Sequence, residues 1–110
     1  MGGLASRQKG QRGEREVAKL IHDTLGHDTH RGFQSRGGSE QPDVVGLPGH
    51  HVEVKRTEKL QIWAAMRQAE DDCDEASMPI VFARKSREPW LVILWAEDYL
   101  RLLKEKEEKA

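Results

Sequence analysis

"PDVVGLPGHHVEVK", residues 42–55, sets two β-branched segments on either side of a Pro-Gly pair. That pattern reads as a β-hairpin. With its centre at Pro48, residues whose numbers sum to 96 face one another, so Asp43 opposes Glu53 and Val44 opposes Val52. Strand side chains alternate between faces, so Asp43, Glu53 and Lys55 share one side while Val44, Val52 and Val54 line the other, toward a core. A bulge at Gly46 or Gly49 would shift this pairing.

Directly opposed residues have Cβ atoms roughly 4.5–5.5 Å apart, and like charges in that arrangement destabilise a sheet. A hard divalent cation such as Mg²⁺ offsets the repulsion, because it takes carboxylate and carbonyl oxygens together with water and substrate phosphate. A lysine on the same face can hold or deprotonate an attacking water and neutralise developing negative charge. In the competing reading Glu53 pairs with Lys55 or Arg56 on a solvated face and Asp43 merely begins a strand after Pro42. The spacing D…ExK alone does not separate the two.

Outward from the hairpin, "GEREVAKLIHDTLG" carries Val17, Leu20, Ile21 and Leu25 at three- and four-residue intervals with Gly26 as a stop, which predicts a helix from about Gln11 to Leu25. Residues 1–9 are polar and read as a flexible basic arm. "THRGFQSRGGSEQ" is Gly- and Ser-rich and admits at most a short strand near Phe33. Downstream, Ile62, Met66, Ala69 and Cys73 form one helical stripe, predicting a helix over about 59–76. "MPIVFARK" and "PWLVILW" are near-continuously apolar and read as strands buried on both faces. A short helix from Glu97 to about Lys104 then leads into a charged tail, residues 105–110. The expected order is α-β-β-β-α-β-β-α, an α/β fold whose central mixed five-stranded sheet is flanked by helices.

A chain of 110 residues, 36% hydrophobic and 34% charged, is expected to form a single globular domain, residues 1–110. The net charge of −1 conceals a basic N-terminal segment, where Arg7, Lys9, Arg12, Arg15 and Lys19 stand against Glu14 and Glu16. "EDDCDE" at 70–75 is strongly acidic and would repel a polyanion from its side of the molecule. The single cysteine, Cys73, excludes an internal disulfide and a cysteine-rich zinc site, and fits a reducing compartment. No apolar run approaches membrane-spanning length, and no signal-peptide core is present. The opening "MGGLAS" matches a myristoylation pattern, read here as coincidence in a cytoplasmic protein.

"KGQRGERE" before an apolar helix, "SRGGSEQPD", and "EVK" before a second helix together resemble the PD-(D/E)XK nuclease superfamily, in particular archaeal-type Holliday junction resolvases and related phage enzymes. The resemblance implies a restriction-endonuclease-like core and Mg²⁺-dependent hydrolysis of DNA phosphodiesters, with Mn²⁺ as a substitute, in a prokaryotic or phage-infected cell. It implies Asp43 and Glu53 as the principal metal ligands, the Val54 carbonyl as a further one, and Glu14 as the helix-borne acid reaching the metal. Lys55 resembles the catalytic lysine and Arg15 the arginine beside the helix glutamate. Arg36 resembles the loop arginine on phosphate, with Arg31 a competitor for that role, and Ser39 the small polar residue that follows. Arg7, Lys9 and Arg12 would position a duplex through its phosphates, and Gly37 and Gly38 could expose N–H groups to an anion.

Two symmetric cuts in a four-way junction imply a homodimer. The alternatives are a phage-type endonuclease acting on flaps, nicks or plain duplex, and a non-catalytic nucleic-acid-binding module. His27, His30, His50 and His51 read as surface histidines and His22 as helix surface. Trp63, Trp90 and Trp95 read as core or interface, and Gln68 as a polar residue projecting toward the site from the second helix.

Overall fold

The computed structural model of the chain describes residues 3–32 and 41–110. The elements are α1 (Gly3–Leu25), β1 (His30–Arg31), β2 (Val44–Val45), β3 (His50–Arg56), α2 (Ile62–Asp72), β4 (Met78–Arg84), β5 (Leu91–Ile93) and α3 (Ala96–Lys109). The expected order of elements therefore holds. One five-stranded sheet runs β1-β2-β3-β4-β5; β3 and β4 are parallel across the α2 crossover, and every other pair is antiparallel. The fold is the mixed sheet with flanking helices expected of a restriction-endonuclease-like core.

The hairpin register is the one the alternation requires, with Val44 opposite Val52. Gly46 takes φ +109° in the turn, and a Cβ there would meet the Asp28 carbonyl at 2.3 Å, so a larger residue would push the turn off the preceding loop. The turn absorbs this without shifting the pairing of the strands.

Two cores form on the two sheet faces. Val17, Ala18 and Ile21 of α1 pack on Val44, Val52, Val54, Ile80 and Phe82. Ala65, Met66 and Ala69 of α2 pack on Val81 and Ala83. The α1 core fixes the hairpin, while α2 flanks the fully buried Met66 with Ala65 and Ala69, whose small size lets its backbone lie close to the opposite face.

Several boundaries differ from the sequence reading. Residues 3–9 are helical, not a flexible arm, because Arg7, Gln8, Lys9, Gln11 and Arg12 are strong helix formers and Lys9 is tied to Glu58 at 3.3 Å. Glu14 consequently lies mid-helix and not in the first turn that a start near Gln11 would give it. The first strand is His30–Arg31; Phe33 lies outside the described residues. α2 stops at Asp72, since acidic residues oppose the helix C-terminus and Asp74 closes a turn by accepting the Ala76 N–H at 2.9 Å.

β4 is buried on both faces, whereas β5 is an outer strand with Leu91 62% exposed. An apolar run by itself does not tell an interior strand from an edge. The 105–110 tail joins α3 as far as Lys109, where charges four residues apart and basic residues in the last turn favour helix. No helix among the described residues is long and apolar enough to cross a membrane.

Candidate active site

Alternation along β3 divides its side chains. Val52 and Val54 enter the α1 core. His51, Glu53 and Lys55, register partners of Pro79, Val81 and Ala83, lie on the face covered by α2. Asp43, just before β2, is held by both neighbouring strands. Its N–H donates to the Val52 carbonyl at 2.9 Å, and its carbonyl accepts the Gly32 N–H at 2.8 Å. Only glycine fits at position 32, because a Cβ there would lie 2.0 Å from the Pro42 carbonyl oxygen. The Asp43 carboxylate accepts the Val54 N–H at 2.9 Å, and Glu53 Oε2 lies 3.3 Å from the Asp43 amide. The hairpin's own backbone thus gathers the two carboxylates.

The electrostatics follow from this placement. Glu53 is 6% exposed, and burial, reinforced by the Asp43 charge, pushes its pKa up to about 8. Burial also raises Asp43, against the Val54 N–H and the charges of Lys55, His51 and Arg31. Glu14 is raised as well, chiefly by burial, although Arg31 opposes the shift. Three carboxyl groups whose charges are this poorly accommodated mark a functional site more readily than a structural one.

The three are not equivalent. Glu14 sits one turn before Val17 and Ala18, so the face of α1 that packs on the sheet also carries Glu14 inward. Gly13 beside it is buried, and a Cβ there would touch Arg56 at 3.3 Å, which brings the helix close to the end of β3. Arg31 Nε donates to Glu14 Oε1 at 2.8 Å. The arginine beside the helix acid is therefore Arg31 of β1. Arg15, next to Glu14 in the chain, is exposed and lowers Glu14 through its charge.

Lys55 Nζ donates to Gln68 Oε1 of α2 at 3.4 Å, so Gln68 does project toward the site. Lys9 is engaged by Glu58 at the N-terminal end of the molecule. Arg12, Arg15 and Lys19 follow a three- and four-residue spacing that makes one exposed basic stripe along α1, and Arg7 is exposed two turns before Glu14. Arg36, Gly37, Gly38 and Ser39 lie outside the described residues.

His51 is the residue the sequence reading misplaced: it is 4% exposed, not a surface histidine. Its Nε2 lies 3.2 Å from Glu53 Oε2 but out of line, and makes no hydrogen bond. Burial lowers its pKa, with Asp72, Asp43 and Asp74 opposing, so the dry setting disfavours the charged ring. The strict alternation of "HHVEVK" already puts position 51 on the side of Glu53 and Lys55. That signal was present and unused.

Among the described residues, no group of three His, Cys, Asp or Glu side chains forms a closed metal cage. The donor chemistry still fits a hard dication. Two desolvated carboxylates offer only oxygen, and a cation such as Mg²⁺ binds through one or two carboxylates while keeping water and phosphate in its remaining positions.

A mixed sheet with Asp43 and Glu53 gathered at its hairpin, Lys55 two residues on and an acid from the first helix is the arrangement expected of a PD-(D/E)XK nuclease core. The family described as "Phage putative PDDEXK endonuclease" matches residues 5–110, and the chain belongs to it. Among solved structures, Hjc from the archaeal hyperthermophile Archaeoglobus fulgidus, a Holliday junction resolvase, superposes with a TM-score of 0.56 at 19% identity over 77% of this chain and 76% of that one. No curated protein matches the sequence.

Proposed function

We propose that this chain is a divalent-metal-dependent DNA endonuclease that makes paired cuts in four-way junctions. The observation that carries the reading is the desolvated Asp43–Glu53 pair, with Glu53 pushed up to about 8, on the same sheet side as Lys55. Asp43 and Glu53 would hold Mg²⁺, or Mn²⁺ in its place, together with the Val54 carbonyl and Glu14. The bound cation supplies Lewis-acid polarisation of the phosphate and stabilises the leaving oxygen.

The residues of the chain do the rest. Lys55, steadied by Gln68, positions the attacking water and offsets charge developing on the phosphate. Arg31 holds Glu14 against the site and presents a cation at its edge. Arg7, Lys9, Arg12 and Arg15 line α1 as contacts to the DNA backbone, and Arg36 and Ser39 belong to the same role.

A homodimer is proposed because one site cuts one strand and a junction needs two symmetric cuts. Leu91 and Val92 of the outer strand and Tyr99 and Leu100 of α3 leave apolar surface in keeping with a partner subunit. The cytoplasm of a prokaryotic or phage-infected cell is the setting this reading requires.

Labelled four-way junction, flap and linear duplex, each incubated with and without Mg²⁺, test the proposal alongside Asp43→Asn. Paired nicks near the junction centre, dependent on Mg²⁺ and lost in the variant, are expected. Preferred cutting of flap or duplex would replace the junction by another substrate of the same class. Binding with no cutting in either Mg²⁺ or Mn²⁺ would make the chain a non-catalytic binding module.

A further inference from the structure

Burying an imidazole inside a sheet is unfavourable unless its ring nitrogens are hydrogen-bonded. His51 stands between the dry Pro79 of β4 and the α2 layer, with Nε2 inaccessible and unpartnered. A valine would satisfy β3 at this position, as Val52 and Val54 do on the other face. Glu53 Oε2 lies 3.2 Å from Nε2, and the same oxygen lies 3.3 Å from the Asp43 amide, whose shorter bond is to the Val52 carbonyl at 2.9 Å. One carboxylate oxygen of Glu53 thus faces both the imidazole and the hairpin backbone.

We infer that His51 is a positioning residue for Glu53: its Nε2–H holds Oε2 so that the remaining oxygen presents to the cation, making the functional run H-x-E-x-K, residues 51–55. The inference rests on the nuclease reading above and deepens it. Outer partners of this kind orient metal-binding carboxylates, and their loss characteristically weakens metal affinity by about 10–100-fold. At 3.2 Å, rotation of the Glu53 carboxylate would bring Oε2 into line with the Nε2–H.

The test compares two nearly isosteric replacements, His51→Met and His51→Gln, which differ in whether an N–H donor remains. Mn²⁺ is titrated into the full chain without DNA and free Mn²⁺ is read by electron paramagnetic resonance at one fixed pH, with melting temperature followed by tryptophan fluorescence. The methionine variant is expected to melt no lower than wild type and to bind Mn²⁺ at least about tenfold more weakly, while glutamine restores most of the loss.

Equal Mn²⁺ affinity in His51→Met and wild type would overturn the inference, as would a folded glutamine variant no tighter than methionine. If the methionine variant does not fold, glutamine decides alone: affinity within roughly threefold of wild type supports the role, and a loss beyond about tenfold overturns it. Wild-type protein that takes up no Mn²⁺ would instead sink the nuclease reading itself.

Discussion

On the α1 side of β3, Val52 and Val54 pack with Val17, Ala18, Ile21 and neighbouring apolar residues. On the α2 side of the same seven-residue strand stand His51, Glu53 and Lys55, with a carboxyl group raised to about 8 and an imidazole nitrogen lacking a partner. Val52, Val54, His51 and Glu53 are all buried, so burial alone does not distinguish the two sides at these positions. One face gains stability from every contact, whereas the other holds groups that water would stabilise better. The second face is tolerable because the first is well packed, the pattern expected where a site is kept in tension for function.

Substitutions that relieve the charged face should leave the fold intact and remove the chemistry. Asp43→Asn and Glu53→Gln are each expected to reduce Mg²⁺-dependent cleavage by at least about a hundredfold, with a melting temperature equal to or above wild type. A clear loss of stability in either variant would break the distinction between the two faces.

The pH response sharpens it. Glu53 folds with its pKa near 8 against an ordinary 4.5, so its contribution to stability is fully present below pH 4.5 and is lost as pH rises through about 8. Asp43 is shifted in the same direction. Metal-free protein should therefore melt lower at pH 9 than at pH 5, by on the order of 10 °C. Mg²⁺ should recover part of that loss at the alkaline end by binding the ionised pair. A flat profile from calorimetric melts across this range would mean that the pair is not strained.

The valine face should respond in the opposite sense. Val52→Ala is expected to destabilise by about 2 kcal/mol through lost burial and a residual cavity, while cleavage per folded molecule is unchanged; denaturant titration and a rate measurement under folding conditions read the two separately. Arg31→Ala is the smallest of the set. Removing the partner of a half-buried Glu14 should lower cleavage by about tenfold with a stability change under about 1 kcal/mol. A larger fall in stability than in rate would place Arg31 with the scaffold.

Much of this division was legible from residues 42–55 alone, because a period of two assigns each side chain to a face once the turn is located. The Val44–Val52 pairing, the valine face and the gathering of Asp43 with Glu53 follow from it. The helical extent of the basic segment was only partly legible, in its strong helix formers, since the Lys9–Glu58 anchor joins residues distant in sequence. Nor was the outer position of β5, since an apolar run reads the same at an edge as in the interior.

The sequence by itself determined the order of elements, the two-faced hairpin and the residue types of an oxygen-rich site beside a lysine, all properties of local spacing. Tertiary structure alone decided that Arg31 of β1 grips Glu14 and that Gln68 meets Lys55. Those two depend on how helices and strands stack across the sheet. Contacts made by chain folding between separate elements leave no periodic signature in the chain that makes them.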